Sequence, residues 1–240
     1  MRFLVFRRCC WIGALALAAS CAESIEQRCM EVYALKSEPT LANVARLRTR
    51  LGDDSSAVRA TALHALIGLG VPDARELATR GLSDSDAFVR RTAAHELVDL
   101  ADPGAVAALG ERISQDEEPS VRKEAAAALG AIGNAEAIDW LVTALEDPMS
   151  EVRLEATRAL AKQVPDVAVD ALVSMVLQDP DWEIRVQAAA ALGRSERADV
   201  VPILQEAAND PNELVRAAVV KALEGRAATT DPQAAPESES

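Results

Sequence analysis

One short pattern occurs six times in this chain at a nearly constant interval, and this period restricts the fold more than any other feature. A Val or Ile followed by Arg recurs at steps of 31 or 32 residues, with an Asp five residues before each pair and a Leu eight residues after it. The Arg residues are Arg59, Arg90, Arg122, Arg153, Arg185 and Arg216, and the Asp residues are Asp53, Asp84, Asp116, Asp147, Asp179 and Asp210. A fixed period of this length is typical of a solenoid, in which each unit packs mainly on its neighbours.

Each repeat contains two apolar stripes at helical spacing. One stripe follows the Val-Arg pair, as in Val152, Ala156 and Leu160, and the other precedes the next Asp, as in Val169, Leu172 and Val176. Gly and Pro residues mark the breaks between the stripes. Only 3% of the residues are aromatic, so the interior must be built from Ala, Leu and Val. The pattern predicts an all-α chain of helix pairs.

The segment Asp-x-x-x-x-Val-Arg-x-x-x-Ala-x-x-x-Leu, seen from Asp147 to Leu160, resembles the HEAT-repeat family and, within it, the short repeat of bilin lyases. The resemblance implies a right-handed α–α superhelix of about six helix pairs. It implies little about function, because enzymes, scaffolds and adaptors share this repeat. Residues 52–224 are expected to form the array, residues 21–51 to form N-terminal capping helices, and residues 225–240, rich in Pro, Ala, Ser and Glu, to be disordered.

Residues 1–20 have the character of a secretory signal peptide. Arg2, Arg7 and Arg8 precede a short apolar run, which ends in Ala18-Ala19-Ser20-Cys21. This ending resembles a bacterial lipobox and would make Cys21 a lipidated N-terminus, although Ala18 stands where Leu is usual. The alternative is ordinary cleavage after Ser20, which would leave Cys21 and Cys29 free to form a small disulfide bridge.

The charge of the chain bears on its partners. The formal net charge is −13, and removal of the signal peptide, with its three arginines and no acid, makes it −16. Such a charge opposes binding to nucleic acid. It also weakens contact with anionic lipid, so we expect membrane attachment only through the N-terminal lipid anchor. The localisation predicted from these features is the cell envelope, on the periplasmic or outer side of a membrane.

The six Asp and six Arg residues of the repeat are expected to form a structural ladder of ion pairs within or between repeats. His64 and His95 occupy the same position in consecutive repeats, six residues after the Val. The residues at this position in the other repeats are typical of a solvent-facing site, and we expect no metal site there. No catalytic constellation, cofactor motif or zinc-ligand spacing is present in the sequence. The chain is therefore expected not to be an enzyme.

Two surfaces are candidates for binding a protein. Trp182 and Phe88 lie at helix entries along one edge: Trp182 stands at a repeat position that is otherwise small or polar, and Phe88 at one where Leu214 is the only other large apolar residue. The second helices, expected to line the concave face, carry acidic residues that would favour a basic partner. The acidic candidates are Glu76, Glu111, Glu136, Asp139, Asp170 and Glu206.

The function predicted from these features is that of an exported, lipid-anchored scaffold or adaptor that binds another protein through its acidic face. Two alternatives remain open. One is an enzyme or enzyme subunit related to bilin lyases, and the other is a structural envelope protein that associates with itself.

Overall fold

The computed structural model of the chain describes residues 23–162 and 166–230. The predicted signal peptide, Cys21 and residues 231–240 of the predicted tail lie outside the described residues. Within the described ranges the structure is entirely helical and contains no strand. This confirms the all-α repeat fold expected from the periodicity.

Thirteen α-helices occur in the part of the chain that the structure describes. The helices that begin near the Val-Arg pairs are here called first helices, and those that precede the next Asp are called second helices. The helices are α1 (Ile25–Ser37), α2 (Leu41–Arg50), α3 (Ser56–Gly68), α4 (Ala74–Gly81), α5 (Ala87–Leu100), α6 (Val106–Gln115), α7 (Pro119–Ile132), α8 (Ala135–Ala144), α9 (Ser150–Ala161), α10 (Asp166–Gln178), α11 (Trp182–Leu192), α12 (Val200–Ala207) and α13 (Glu213–Thr230), with a 3-10 turn at Pro103–Ala105.

The described part of the chain forms two compact units, which divide between Val71 and Pro72. In the first unit, α1 packs against α2 and α3. Val32 and Leu35 of α1 and Leu47 of α2 are buried in its core. The Ser24 side chain accepts a hydrogen bond from the backbone N–H of Gln27, while the Gln27 side chain accepts one from the backbone N–H of Ser24. This capping box fixes the start of α1.

In the second unit, successive first helices stack directly on one another: α5 on α7, α7 on α9, α9 on α11 and α11 on α13. Val121, Val152 and Ile184, which open the repeat pattern, are completely buried, as are Leu129 and Leu192 eight residues later. Gly130 allows the closest approach, since a Cβ atom there would lie 2.5 Å from the Cβ of Ala159. Small residues thus let the first helices form one continuous core.

The C-terminal helix differs from the expectation of disorder from residue 225 onward. Helix α13 continues through Gly225 to Thr230. The guanidinium of Arg226 donates hydrogen bonds to the carbonyl oxygens of Ser195 and, at 2.7 Å, Arg197. These tertiary contacts extend the helix six residues beyond the predicted end of the array, despite the glycine.

Candidate functional site

The repeat arginines of the second unit connect neighbouring repeats by a constant geometry. Arg122 donates from Nε to Oδ2 of Asp147 at 2.6 Å and from Nη2 to Oδ1 at 2.9 Å, and both side chains are nearly buried. The same two-pronged contact joins Arg90 to Asp116, Arg153 to Asp179 and Arg185 to Asp210. Each of these four arginines therefore binds the aspartate of the repeat that follows its own.

The third guanidinium nitrogen of each arginine, Nη1, donates to backbone carbonyls of the arginine's own repeat. Nη1 of Arg122 donates to the carbonyl oxygens of Asp116 and Glu117, at 2.9 and 3.3 Å. Arg59, Arg90, Arg153, Arg185 and Arg216 make the equivalent pair of bonds. Each aspartate in turn accepts the backbone N–H two residues later, as Asp147 does from Met149 and Asp84 from Asp86. One arginine thus fixes two loops, because its donors are divided between them.

The first unit contains a further rung, which the sequence pattern did not reveal. Arg28 donates from Nη1 to Oδ1 of Asp53 at 2.6 Å and to Asp54, so it binds the aspartate of the following copy as the other rungs do, but through one nitrogen instead of two. Arg28 precedes Arg59 by 31 residues, and the Leu of this copy is Leu35. In this copy Gln27 stands in place of the Val and Ala22 in place of the Asp, so the copy lacks two of the residues that define the pattern. The period alone, extended back from Arg59, would have located it.

The ladder affects the ionisation of two of its carboxylates, those of Asp116 and Asp210. Burial tends to raise the pKa of Asp116, but the hydrogen bonds from Arg90 and from the backbone N–H of Glu118, with the charges of Arg90 and Arg112, lower it below its usual value. The pKa of Asp210 is also lowered, chiefly by the hydrogen bond from Arg185. The charged form of these residues is therefore favoured by folding.

The predicted acidic residues lie on second helices of the second unit, and their side chains are exposed. Helices α8, α10 and α12 together carry five acidic and no basic residues. These residues, Glu136, Asp139, Asp166, Asp170 and Glu206, are here called the acidic face. The first helices α7, α9 and α11 carry five basic and four acidic residues. Negative charge is thus concentrated on these three second helices, whereas α4 and α6 also carry arginines.

The members of the acidic face differ in how far they are neutralised. Asp170 forms an ion pair with Arg197 at 2.8 Å, and Arg197 also binds Asp199. Glu136 and Asp139 form no ion pair with any described residue. Of the candidates on other helices, Glu76 lies on α4, and Glu111 on α6 lies 3.9 Å from the Arg112 guanidinium. The strongest uncompensated charge is therefore on α8.

The two aromatic candidates lie at helix starts and are both partly exposed. Trp182 begins α11 and is 42% exposed, and Phe88 near the start of α5 is 45% exposed. The guanidinium carbon of Arg91 lies 5.4 Å from the centre of the Phe88 ring, within the range of a cation–π contact. The structure leaves both rings accessible, and their binding role stays a prediction.

The histidines lie on exposed surfaces of first helices. His95 Nδ1 lies 3.2 Å from Glu124 Oε2, and His64 is exposed on α3. Over residues 23–162 and 166–230, no group of three or more His, Cys, Asp or Glu side chains is placed to hold a metal ion. In the same ranges no helix combines the length and apolar character that crossing a bilayer requires.

Comparison with known proteins identifies the repeat. The family model described as HEAT repeats matches residues 44–116, 106–185 and 169–237. Among curated proteins, deoxyhypusine hydroxylase of Rattus norvegicus is 41% identical over 95 residues, which are 39% of this chain and 32% of that protein. The chain thus matches about a third of the length of this relative.

Solved structures share the fold. The Escherichia coli protein YibA aligns with a TM-score of 0.58 and 20% identity over 83% of this chain and 76% of that one. The complex of CpcE and CpcF of phycocyanin lyase from Nostoc aligns with a TM-score of 0.50 and 23% identity over 94% of this chain and 96% of that one. At these identities the likeness concerns the fold alone.

One expectation from the sequence is contradicted by these comparisons. The chain was expected not to be an enzyme, because no group of catalytic side chains could be recognised. The relative with 41% identity is named as a hydroxylase, so the expectation is wrong. The lack of a recognisable motif did not exclude an enzyme family, because repeat proteins can assemble a site from residues scattered over several repeats.

Proposed function

Because the chain belongs to the HEAT-repeat family, we propose that it is a binding protein whose acidic face docks a basic segment of another protein. The observation that supports this most directly is the charge of α8, α10 and α12, which hold five acidic and no basic residues. Helices that stack in successive repeats lie about 10 Å apart, close to the screening length at physiological salt. The potentials of neighbouring helices therefore add along the row and attract Lys- and Arg-rich chains.

Helix α8 is the proposed centre of this contact. Glu136 and Asp139 are one helical turn apart and are exposed. Since no described residue forms an ion pair with either, both remain available to a cationic partner. The edge residues Trp182 and Phe88 are a competing contact surface, because exposed aromatic rings are frequent hot spots.

A defined probe tests the proposal. Binding of a fluorescent peptide of alternating Lys and Arg is measured by anisotropy at several salt concentrations. Glu136→Lys with Asp139→Lys is expected to weaken binding and to reduce its salt dependence. The matched control is Glu151→Lys with Glu155→Lys, which makes the same charge change on the first helix α9 and is expected to have a smaller effect. Equal losses in both double variants would show only a net-charge effect, and loss with Trp182→Ala alone would move the contact to the aromatic edge.

Hydroxylation of deoxyhypusine is a second candidate function, favoured by the 41% identity to the rat enzyme. The match extends over 32% of that enzyme, so this chain would supply only a part of such an activity or act together with another chain. Incubation of the purified chain with a deoxyhypusine-containing substrate, followed by mass analysis for an added oxygen, tests this candidate.

We also propose that the protein is exported and anchored to the cell envelope through a lipid on Cys21. The support is the basic, apolar and small-residue order of residues 1–20 and the Ala18-Ala19-Ser20-Cys21 sequence. An anchored solenoid would keep its acidic face close to envelope proteins.

A further inference from the structure

The last helix of the second unit leaves exposed a position that every earlier first helix of the unit buries. Five residues after the Val or Ile of the repeat stand Ala94, Ala126, Thr157 and Ala189, each with 0% exposure. The equivalent residue in α13 is Val220, which is 48% exposed. The earlier helices each have another first helix packed after them, whereas α13 is the last in the described chain. Val220 therefore marks an uncovered repeat face.

The final arginine of the ladder lies on the same face. Arg216 makes the two carbonyl bonds of its own repeat, at 2.7 and 3.0 Å. In Arg90, Arg122, Arg153 and Arg185, the Nε and Nη2 atoms bind a carboxylate of the following repeat. Arg216 forms no such pair with any residue in the described ranges. The exposed Arg216 side chain therefore lacks the carboxylate partner that the four earlier arginines have.

The spacing along α13 identifies what can supply it. Arg216, Val220 and Glu224 follow one another at intervals of four residues, so they lie along one line of the helix surface. From the N-terminal side, this line reads base, apolar residue, acid, and from the C-terminal side it reads acid, apolar residue, base. A second copy running antiparallel, with Val220 at the centre, places Arg216 opposite Glu224 at both ends.

We propose that this protein associates with a second copy of itself through an antiparallel, two-fold contact between the α13 helices. Val220 packs on Val220 of the other copy, and two equivalent Arg216–Glu224 ion pairs flank it. A two-fold contact of this kind closes on itself, so the product is a dimer and not a fibre. One helix from each copy forms a contact at the small end of the range for specific interfaces, and the association is accordingly weak and concentration-dependent.

Charge reversal tests this arrangement in the full-length chain. Tagged and untagged chains are mixed in one detergent-containing buffer, and capture of the untagged chain is measured. Arg216→Glu alone places two acids opposite each other, and Glu224→Arg alone places two bases opposite each other, so each variant is expected to lose about tenfold or more of its self-capture. An equimolar mixture of the two variants restores both ion pairs and is expected to recover capture.

Two controls separate this contact from others. Lys221→Glu changes the charge of α13 by the same amount as Arg216→Glu. Lys221 follows Val220 directly and therefore lies beside the line of Arg216, Val220 and Glu224, not on it, so this variant is expected to leave self-capture unchanged. Val220→Asp is expected to abolish it. The proposal is overturned if the wild type does not capture itself, which would leave the face to a different protein or to residues 231–240. It is also overturned if the mixed variants bind no better than each does alone.

Discussion

At the scale of single residues, the arginines of the repeat explain why the interval of the pattern is so regular. The guanidiniums of Arg90, Arg122, Arg153 and Arg185 each bridge the loop of their own repeat and the aspartate of the next, and this geometry allows little change in the distance between loops. Burying such a pair has a desolvation cost, which the additional bonds to backbone carbonyls help to offset. Removing only one partner leaves a buried charge without compensation.

Arg122→Ala is therefore expected to lower the free energy of unfolding by about 1–3 kcal/mol, because the carboxylate of Asp147 is left without its main partner. The Arg158–Glu183 pair is the control, since both side chains are more than 40% exposed and surface ion pairs contribute little. Arg216→Ala removes carbonyl bonds but no ladder carboxylate and should be intermediate. Urea denaturation measures all three, and an Arg122→Ala midpoint equal to that of Arg158→Ala would contradict the structural role.

Asp116 makes the ladder sensitive to acid. Its pKa is lowered in the folded chain, so its charge stabilises the fold above the ordinary Asp pKa of about 3.9. That contribution is lost as the pH falls through the lowered pKa. Asp116→Asn is expected to be destabilising at pH 7, and its difference from the wild type should shrink progressively below about pH 4. Asp139→Asn on the exposed side of α8 is the control, and a difference for Asp116→Asn that does not vary with pH would exclude the electrostatic explanation.

At the scale of helices, α6 and α8 illustrate how a second-helix contact is built around one large side chain. The Trp140 ring packs directly on the backbone at Gly110, where a Cβ atom would lie 2.2 to 2.4 Å from three ring atoms. The column of the sequence that contains Trp140 is otherwise filled by smaller apolar residues. Gly110 in α6, the preceding second helix, provides the space for the ring.

Gly110→Ala is expected to destabilise the protein by about 1–3 kcal/mol, because the half-buried ring of Trp140 has to move away from the added methyl group. In a Trp140→Ala background the same change should be neutral or stabilising, since Ala favours a helix over Gly. Gly225→Ala is the matched control, because no atom lies within 4 Å of its added methyl group, and it should be stabilising. Thermal unfolding of the single and double variants gives the coupling, and additive effects would contradict the packing explanation.

The helices also show what the sequence could predict and what it could not. Periodicity sufficed for the all-α repeat because Val, Ala and Leu recur wherever burial recurs. It missed the copy containing Arg28, because Gln27 there serves in a capping box instead of in the core. Periodicity predicted that α13 ends before Gly225, because the hydrogen bonds that Arg226 forms with the preceding repeat are tertiary contacts and leave no local pattern in the sequence. It placed Asp and Arg in columns, but the choice of the following repeat as partner depends on how the helices stack.

At the scale of the whole molecule, the charge distribution relates the proposed binding role to the proposed location. A chain with a net charge of −16 after signal removal is repelled by anionic headgroups. Attraction to a basic partner and repulsion from lipid have the same origin, because both arise from the excess of carboxylates. The proposed attachment to a membrane would then depend on the acyl chains proposed for Cys21.

Cys21→Ser is therefore expected to move the protein from the membrane fraction to the soluble fraction and to abolish labelling with a fatty-acid analogue. Cys29→Ser is the control, because Cys29 is a half-buried free thiol in α1, 3.9 Å from the Thr61 hydroxyl, and its loss should leave the protein in membranes. Fractionation and acyl labelling of the two variants beside the wild type measure both effects. A wild-type protein that is unlabelled and soluble would refute the anchor, and a labelled wild type with a membrane-bound Cys21→Ser variant would assign the lipid to another residue.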